Sequence, residues 1–147
     1  MDFKEFQNRV DRGTQMFDSG NMQAALEIFT GLFNSDISDL DKSSMCLNIA
    51  VVYDKLGNQK QCLDWYVQAA QLEKPHGRFE AQEYLATYLK QIGKLRESLK
   101  ILESLLTSSH LMEADKVRVR QNIDALKIEI NKPVYRRPGT QEEDTPL

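Results

Sequence analysis

The chain has 147 residues, 41% of them hydrophobic and 28% charged, and a formal net charge of −3 at pH 7, which suits one domain around a single core and offers none of the basic stripe that nucleic-acid binding requires. No window approaches the roughly 18 apolar residues of a membrane span, and the N-terminal "MDFKEFQNRV" is charged from its second residue, unlike a signal peptide. A cytoplasmic protein without membrane insertion is therefore expected, with its two cysteines, Cys46 and Cys62, as free, buried, structural thiols rather than a redox pair.

From Asp2 to about Ser19, Phe3, Phe6, Val10 and Met16/Phe17 recur at spacings of three and four, which predicts a helix with Asp2 as its N-cap. After "DSGN" the period resumes through Met22, Ala25, Leu26, Phe29 and Leu32/Phe33. The polar "NSDISDLD" follows, and Asp41 or Ser43 is the expected cap of a third helix, about Lys42 to Leu56, with Cys46, Ile49, Ala50 and Tyr53 on one face. A fourth, after Gly57-Asn58, uses Cys62, Leu63, Trp65/Tyr66, Ala69 and Leu72, and "KPHGR" breaks it because proline cannot continue a helix. Leu85, Ala86 and Leu89 mark a fifth helix ending at Ile92-Gly93, and Leu95, Leu99, Leu102 and Leu105/Leu106 a sixth. A last helix, about Met112 to Asn131, carries Val119, Ile123, Leu126 and Ile130 in stripe. No segment alternates with period two, so the fold is expected to be all-α. Residues 132–147, rich in proline and charge and without a period, are expected to form a disordered tail.

Gly20, Gly57 and Gly93 lie 37 and 36 residues apart, each between two apolar helices. A fixed period of that size marks a helical repeat. On this register small residues coincide: Gly13, Ala50 and Ala86 on the first helices, and Ala25, Cys62 and Ser98 on the second. Large residues such as Met16, Phe29, Tyr53, Tyr66, Leu89 and Leu102 fill the space between. The pattern resembles the tetratricopeptide (TPR) motif, W-x2-L-G-x2-Y followed by A-x3-F. It departs from that motif in lacking the tryptophan, replaced by Arg9, Cys46 and Gln82. Arg12 also stands at the first leucine position, and only the second repeat closes with a proline, Pro75. The resemblance implies a TPR-like helical solenoid over residues 1–131, curved into a short right-handed superhelix. Its repeats would span about 6–39, 43–76 and 79–112, with a C-terminal capping helix at about 112–131 covering the apolar face of the third, or, almost equivalently, half of a degenerate fourth repeat without its second helix.

Signatures of catalysis are missing from the sequence: no phosphate-binding glycine loop, no H-E-x-x-H and no C-x-x-C. His76 and His110 fall in inter-helix loops with no ligand spacing, and Glu80 and Glu83 form a carboxylate pair of the kind common on solvated helices. A non-enzymatic protein with no cofactor, no metal and no catalytic residue is expected. TPR-like arrays bind partners in the concave groove lined by the first helix of each pair. Subtracting the core positions leaves Val10, Thr14 and Phe17, then Leu47, Asn48, Val51 and Asp54, then Glu83, Tyr84, Thr87 and Gln91.

"MCLNIAVVY" is apolar nearly all round, so Leu47 and Val51 serve either contacts with neighbouring repeats or an apolar patch for a partner. Of the basic and amide side chains with which some TPR adaptors clamp a C-terminal carboxylate, only Asn48 has a counterpart. Val10, Thr14, Glu80 and Tyr84 stand at the other positions, which favours a peptide or helix with apolar anchors. The expected function is an adaptor or scaffold binding a partner protein's segment. The alternatives are a structural subunit or homo-oligomer within a larger assembly, or the regulatory domain of a complex whose enzymatic activity lies elsewhere. Residues 1–40 carry three basic and seven acidic groups and residues 113–137 seven basic and four acidic. This asymmetry is either a solvated surface or a means of orienting a partner. "KPVYRRP" in the tail is either a plain terminus, a short linear motif or a segment folding back on the acidic first repeat.

Overall fold

The computed structural model describes residues 1–132; of the expected tail, 132–147, all but Lys132 lies outside the described residues. The described chain is all-α, a TPR-like succession of three helical hairpins and a terminal helix. These are α1 (Phe3–Asp18) with α2 (Met22–Phe33), α3 (Asp39–Lys55) with α4 (Gln59–Glu73), and α5 (Glu80–Gln91) with α6 (Leu95–Leu106), followed by α7 (Glu113–Ile130). A single 3-10 turn, Lys74–His76, follows α4. None of the described helices is long and apolar enough to cross a membrane. Two compact units result: Met1–His76, and the chain from Gly77 onward.

All three hairpins close by one device. Gly20, Gly57 and Gly93 adopt φ of +85°, +75° and +85°, a left-handed conformation that costs an L-residue about 1–2 kcal/mol and glycine almost nothing. In each turn the next N–H reaches back to a carbonyl of the preceding helix: Asn21 to Met16 (2.8 Å), Asn58 to Tyr53 (2.9 Å) and Lys94 to Leu89 (2.8 Å). The glycine N–H groups donate to Phe17, Asp54 and Lys90. This pairing satisfies carbonyls that a helix end otherwise leaves open. Asn21 and Asn58 then cap the next helix, each side-chain oxygen accepting a backbone N–H at 3.1 Å, from Ala24 and Gln61. One Gly-Asn pair thus ends a helix and starts another.

In the first unit the six core residues Ala25, Phe29, Leu32, Met45, Ile49 and Val52 join α2 to α3, with Phe6, Val10, Met16 and Phe17 of α1 packed against them. The crossing of α1 and α2 depends on Gly13: a Cβ there would lie 2.5 Å from the Phe29 ring. Phe33 meets Trp65 edge-to-face at 5.2 Å between centroids. Ala50 and Cys62, at the matching small positions of the second hairpin, are fully buried. In the second unit Ala86, Leu95, Leu99, Leu102 and Leu105 form a core with Leu111 and the α7 stripe Val119, Ile123, Leu126 and Ile130. The last helix therefore covers the apolar face of α6. Ser98 occupies the small position there, its hydroxyl donating to the Ala86 carbonyl at 2.6 Å.

The cap of the third helix differs from the expectation. Ser38, not Asp41 or Ser43, caps α3, its hydroxyl accepting the Asp41 N–H at 3.1 Å, so the helix begins at Asp39. Ser43 is instead buried, with its hydroxyl 3.3 Å from the Ala69 carbonyl and 3.1 Å from the Glu73 carboxylate, tying α3 to α4. At the proline break a fourth left-handed glycine, Gly77 at φ +69°, accompanies the 3-10 turn, and His76 Nε2 lies 3.1 Å from Asp39 Oδ2.

Both cysteines are buried and outside any disulfide, and burial pushes the Cys46 thiol up from 9.0 to about 12. The proton is retained in the folded state and lost from the unfolded one between these values. The associated stability is thus fully present below about pH 9 and declines as pH rises toward 12. The thermal stability of the wild type should fall faster over that interval than that of Cys46→Ala. Iodoacetamide at pH 8.5 should label Cys46 only after denaturation, and prompt native labelling would contradict the burial. A Cβ added at Gly57 would have no neighbour within 4 Å, so any cost of Gly57→Val is backbone strain. Urea titration should show a loss of about 1–3 kcal/mol at unchanged m value; an unshifted midpoint would remove the turn's role.

Candidate protein-interaction surface

Of the helices that open the hairpins, α3 and α5 are buried on more than one side, which leaves a stripe to solvent, whereas α1 buries only Gly13. On α3, Met45, Ile49 and Val52 enter the core with α2, and Ser43, Cys46 and Ala50 are buried too. Between these faces Leu47 and Asn48 are half-buried and Val51 and Asp54 exposed, Val51 at 43%. On α1, Val10 and Phe17 are half-buried because they pack on the core of the first unit, and Thr14 is exposed. Val10 and Phe17 thus serve the core as well as the surface.

On α5 the residues divide. Glu83 is half-buried, whereas Tyr84 (55% exposed), Thr87 and Gln91 are exposed. Arg118 of α7 reaches back to Glu83 with two guanidinium donors, Nε to Oε2 at 3.1 Å and Nη2 to Oε1, and gives Nη1 to Asp115 at 3.0 Å. These bonds, chiefly those to Glu83, raise the Arg118 guanidinium above its ordinary range. Such a fork fixes geometry more than it stabilises, since pairs this exposed contribute at most about 1 kcal/mol. Glu80, the other carboxylate of the sequence pair, instead faces the Phe79 N–H at 3.2 Å and Arg78 at 3.9 Å. Among the described residues no group of three or more His, Cys, Asp or Glu side chains could hold a metal ion.

Sequence reasoning stopped the stripe at α5, but the core register carries it onto α7. Buried triplets with one spacing recur: Met45, Ile49 and Val52; Ala81, Leu85 and Tyr88; Val119, Ile123 and Leu126. Counting from their central residues, Leu47, Asn48, Val51 and Asp54 correspond to Glu83, Tyr84, Thr87 and Lys90, and then to Gln121, Asn122, Ala125 and Ile128. Lys90 rather than Gln91 is the counterpart of Asp54. All four α7 residues are exposed. The missed signal was the triplet itself, which α7 carries in the manner of a first helix while it covers α6.

In the second unit this register has a physical result. Glu83, Thr87 and Lys90 of α5 and Asn122 of α7 rim a hollow of about 220 Å³, and Ala86, Ser98, Leu102 and Leu126 also line it. Tyr84 and Gln91 are not among its lining residues. Thr87 Oγ1 donates to the Glu83 carbonyl at 3.0 Å.

Solved structures share this architecture. One is the Yersinia enterocolitica type III secretion chaperone SycD in complex with a peptide of the translocator YopD: TM-score 0.62, 18% identity, covering 87% of this chain and 96% of that one. Another is the first TPR of Spaghetti (RPAP3) bound to the HSP90 peptide SRMEEVD: TM-score 0.59, 18% identity, covering 86% of this chain and 98% of that one. No curated protein matches by sequence. At these identities the likeness establishes the TPR-like fold. The sequence itself matches a domain of unknown function, DUF6340, over residues 11–94, more than half of the chain. The protein therefore belongs to the DUF6340 family, built on a TPR-like helical fold.

Proposed function

We propose that the protein is a cytoplasmic, non-enzymatic adaptor or scaffold, with residues 1–131 as its binding domain, that takes a segment of a partner protein along the stripe of its first helices. One observation carries this reading: Val51, an apolar side chain on a helix otherwise buried on two sides, remains 43% exposed beside half-buried Leu47. Solvated apolar side chains in a defined stripe gain from being covered by a partner, at about 25 cal/mol per Å² of apolar area. Phe17 and Tyr84 supply further apolar or aromatic surface, and Asn48, Asp54, Thr14, Thr87 and Gln91 supply polar contacts that fix register. Val10 and Glu83 belong to the same stripe but are already partly engaged, by the core and by Arg118. The two similar structures, each holding a peptide, support a peptide-binding role for this fold. A second reading, a structural subunit or self-associating component of an assembly, is favoured by Val117 and Ile128 on α7, 47% and 67% exposed.

The two readings predict different behaviour. In cross-linking pull-downs, a partner captured by the wild type should be lost with Leu47→Asp/Val51→Asp while the helical circular dichroism is retained. Capture that survives the double variant counts against the stripe, and loss of helicity would place Leu47 in the core, with Val51→Asp alone as the remaining probe. Light scattering over micromolar concentrations should show a monomer if binding is the function; a concentration-dependent dimer abolished by Val117→Asp/Ile128→Asp would favour self-association.

A further inference from the structure

The hollow between α5, α6 and α7 has a floor and a rim of different chemistry. Ala86, Leu102 and Leu126 give it buried apolar walls. The one hydroxyl among them, that of Ser98, already donates to the Ala86 carbonyl, so the floor leaves no donor asking for a polar ligand. Its rim carries two charged residues. Glu83 is held by Arg118 through two guanidinium donors, whereas Lys90 is exposed and has no ion pair among the described residues. Asn122 and the Thr87 oxygen add polar groups able to bond a peptide backbone.

We propose that this hollow receives a single apolar side chain of a partner segment, with an acidic residue of the same segment beside Lys90. The inference rests on the adaptor reading and adds the site's ligand chemistry. A polar or basic side chain gains little there: the floor has no unsatisfied group to meet it, and Lys90 repels a second cation.

The full chain, labelled with nitrogen-15, can be titrated with three synthetic decapeptides on a Gly-Ser framework: one leucine flanked by aspartates, the same leucine flanked by lysines, and a serine flanked by aspartates. The leucine–aspartate probe should shift the amides of Thr87, Lys90 and Asn122. It should bind about tenfold or more tighter than the serine probe and roughly threefold or more tighter than the lysine probe. Asn122→Trp, which fills the mouth from an exposed position, should abolish the shifts with an otherwise unchanged spectrum. Lys90→Glu should reverse the charge preference. Shifts confined to α1 and α3 would overturn this site while leaving the adaptor reading intact. The absence of shifts at Thr87, Lys90 and Asn122 at millimolar probe overturns it as well. A charge preference unchanged in Lys90→Glu removes Lys90 from the site, and with it the acidic partner.

Discussion

Two helices can lie side by side at short range only where a side chain is small enough to let them cross, and the chain must reverse sharply to bring them there. Both requirements are met by a few residues in each hairpin. The left-handed glycine at Gly20, Gly57 or Gly93 turns the chain within two residues, and Gly13, Ala50 or Ala86 accepts the returning helix. The contact is tight enough that one added methyl at Gly13 would overlap the Phe29 ring. Packing at crystal-like density allows no compensation at such a crossing without moving a helix. Within each unit the architecture follows from these turns: α3 covers the apolar face of the first hairpin, and α7 that of the third.

Covering those faces determines what stays outside. A first helix that meets its own partner on one side and another element on a second has one stripe left. In α3 that stripe holds Leu47, Asn48, Val51 and Asp54. The terminal helix follows the same rule. Its buried stripe, Val119, Ile123, Leu126 and Ile130, packs on α6, and the side it leaves free continues the register through Gln121, Asn122, Ala125 and Ile128. A helix recruited to cover a core thereby carries an exposed stripe of its own. The hollow rimmed by Lys90 and Asn122 follows from this placement.

Residue types within the stripe differ in how free they are. Val10 and Phe17 pack partly on the first core, and Glu83 is held by a residue 35 positions along the chain. Position in the register therefore names the surface, and tertiary neighbours decide how much of it is available for binding. The asymmetry of charge takes a local form in the same way: Arg118, one of the basic groups of the C-terminal region, answers a carboxylate on α5.

Helix count, hairpin turns and most core positions were determined by the sequence by itself. They depend on local rules: a 3.6-residue period, glycine's freedom at positive φ, and small residues recurring at fixed offsets. The helix start at Ser38 was not legible, because Ser38, Asp41 and Ser43 are equally capable of capping by chemistry. Only packing against α4 assigns Ser43 to the Ala69 carbonyl and Glu73 and leaves Ser38 to the helix end. The same holds for the candidate surface. Its α3 residues could be listed by subtraction, but Glu83's engagement with Arg118 and the joining of α5 to α7 around one hollow are contacts between residues far apart in sequence. Only the tertiary structure decides them, because many pairings satisfy the same residue types and close packing selects one.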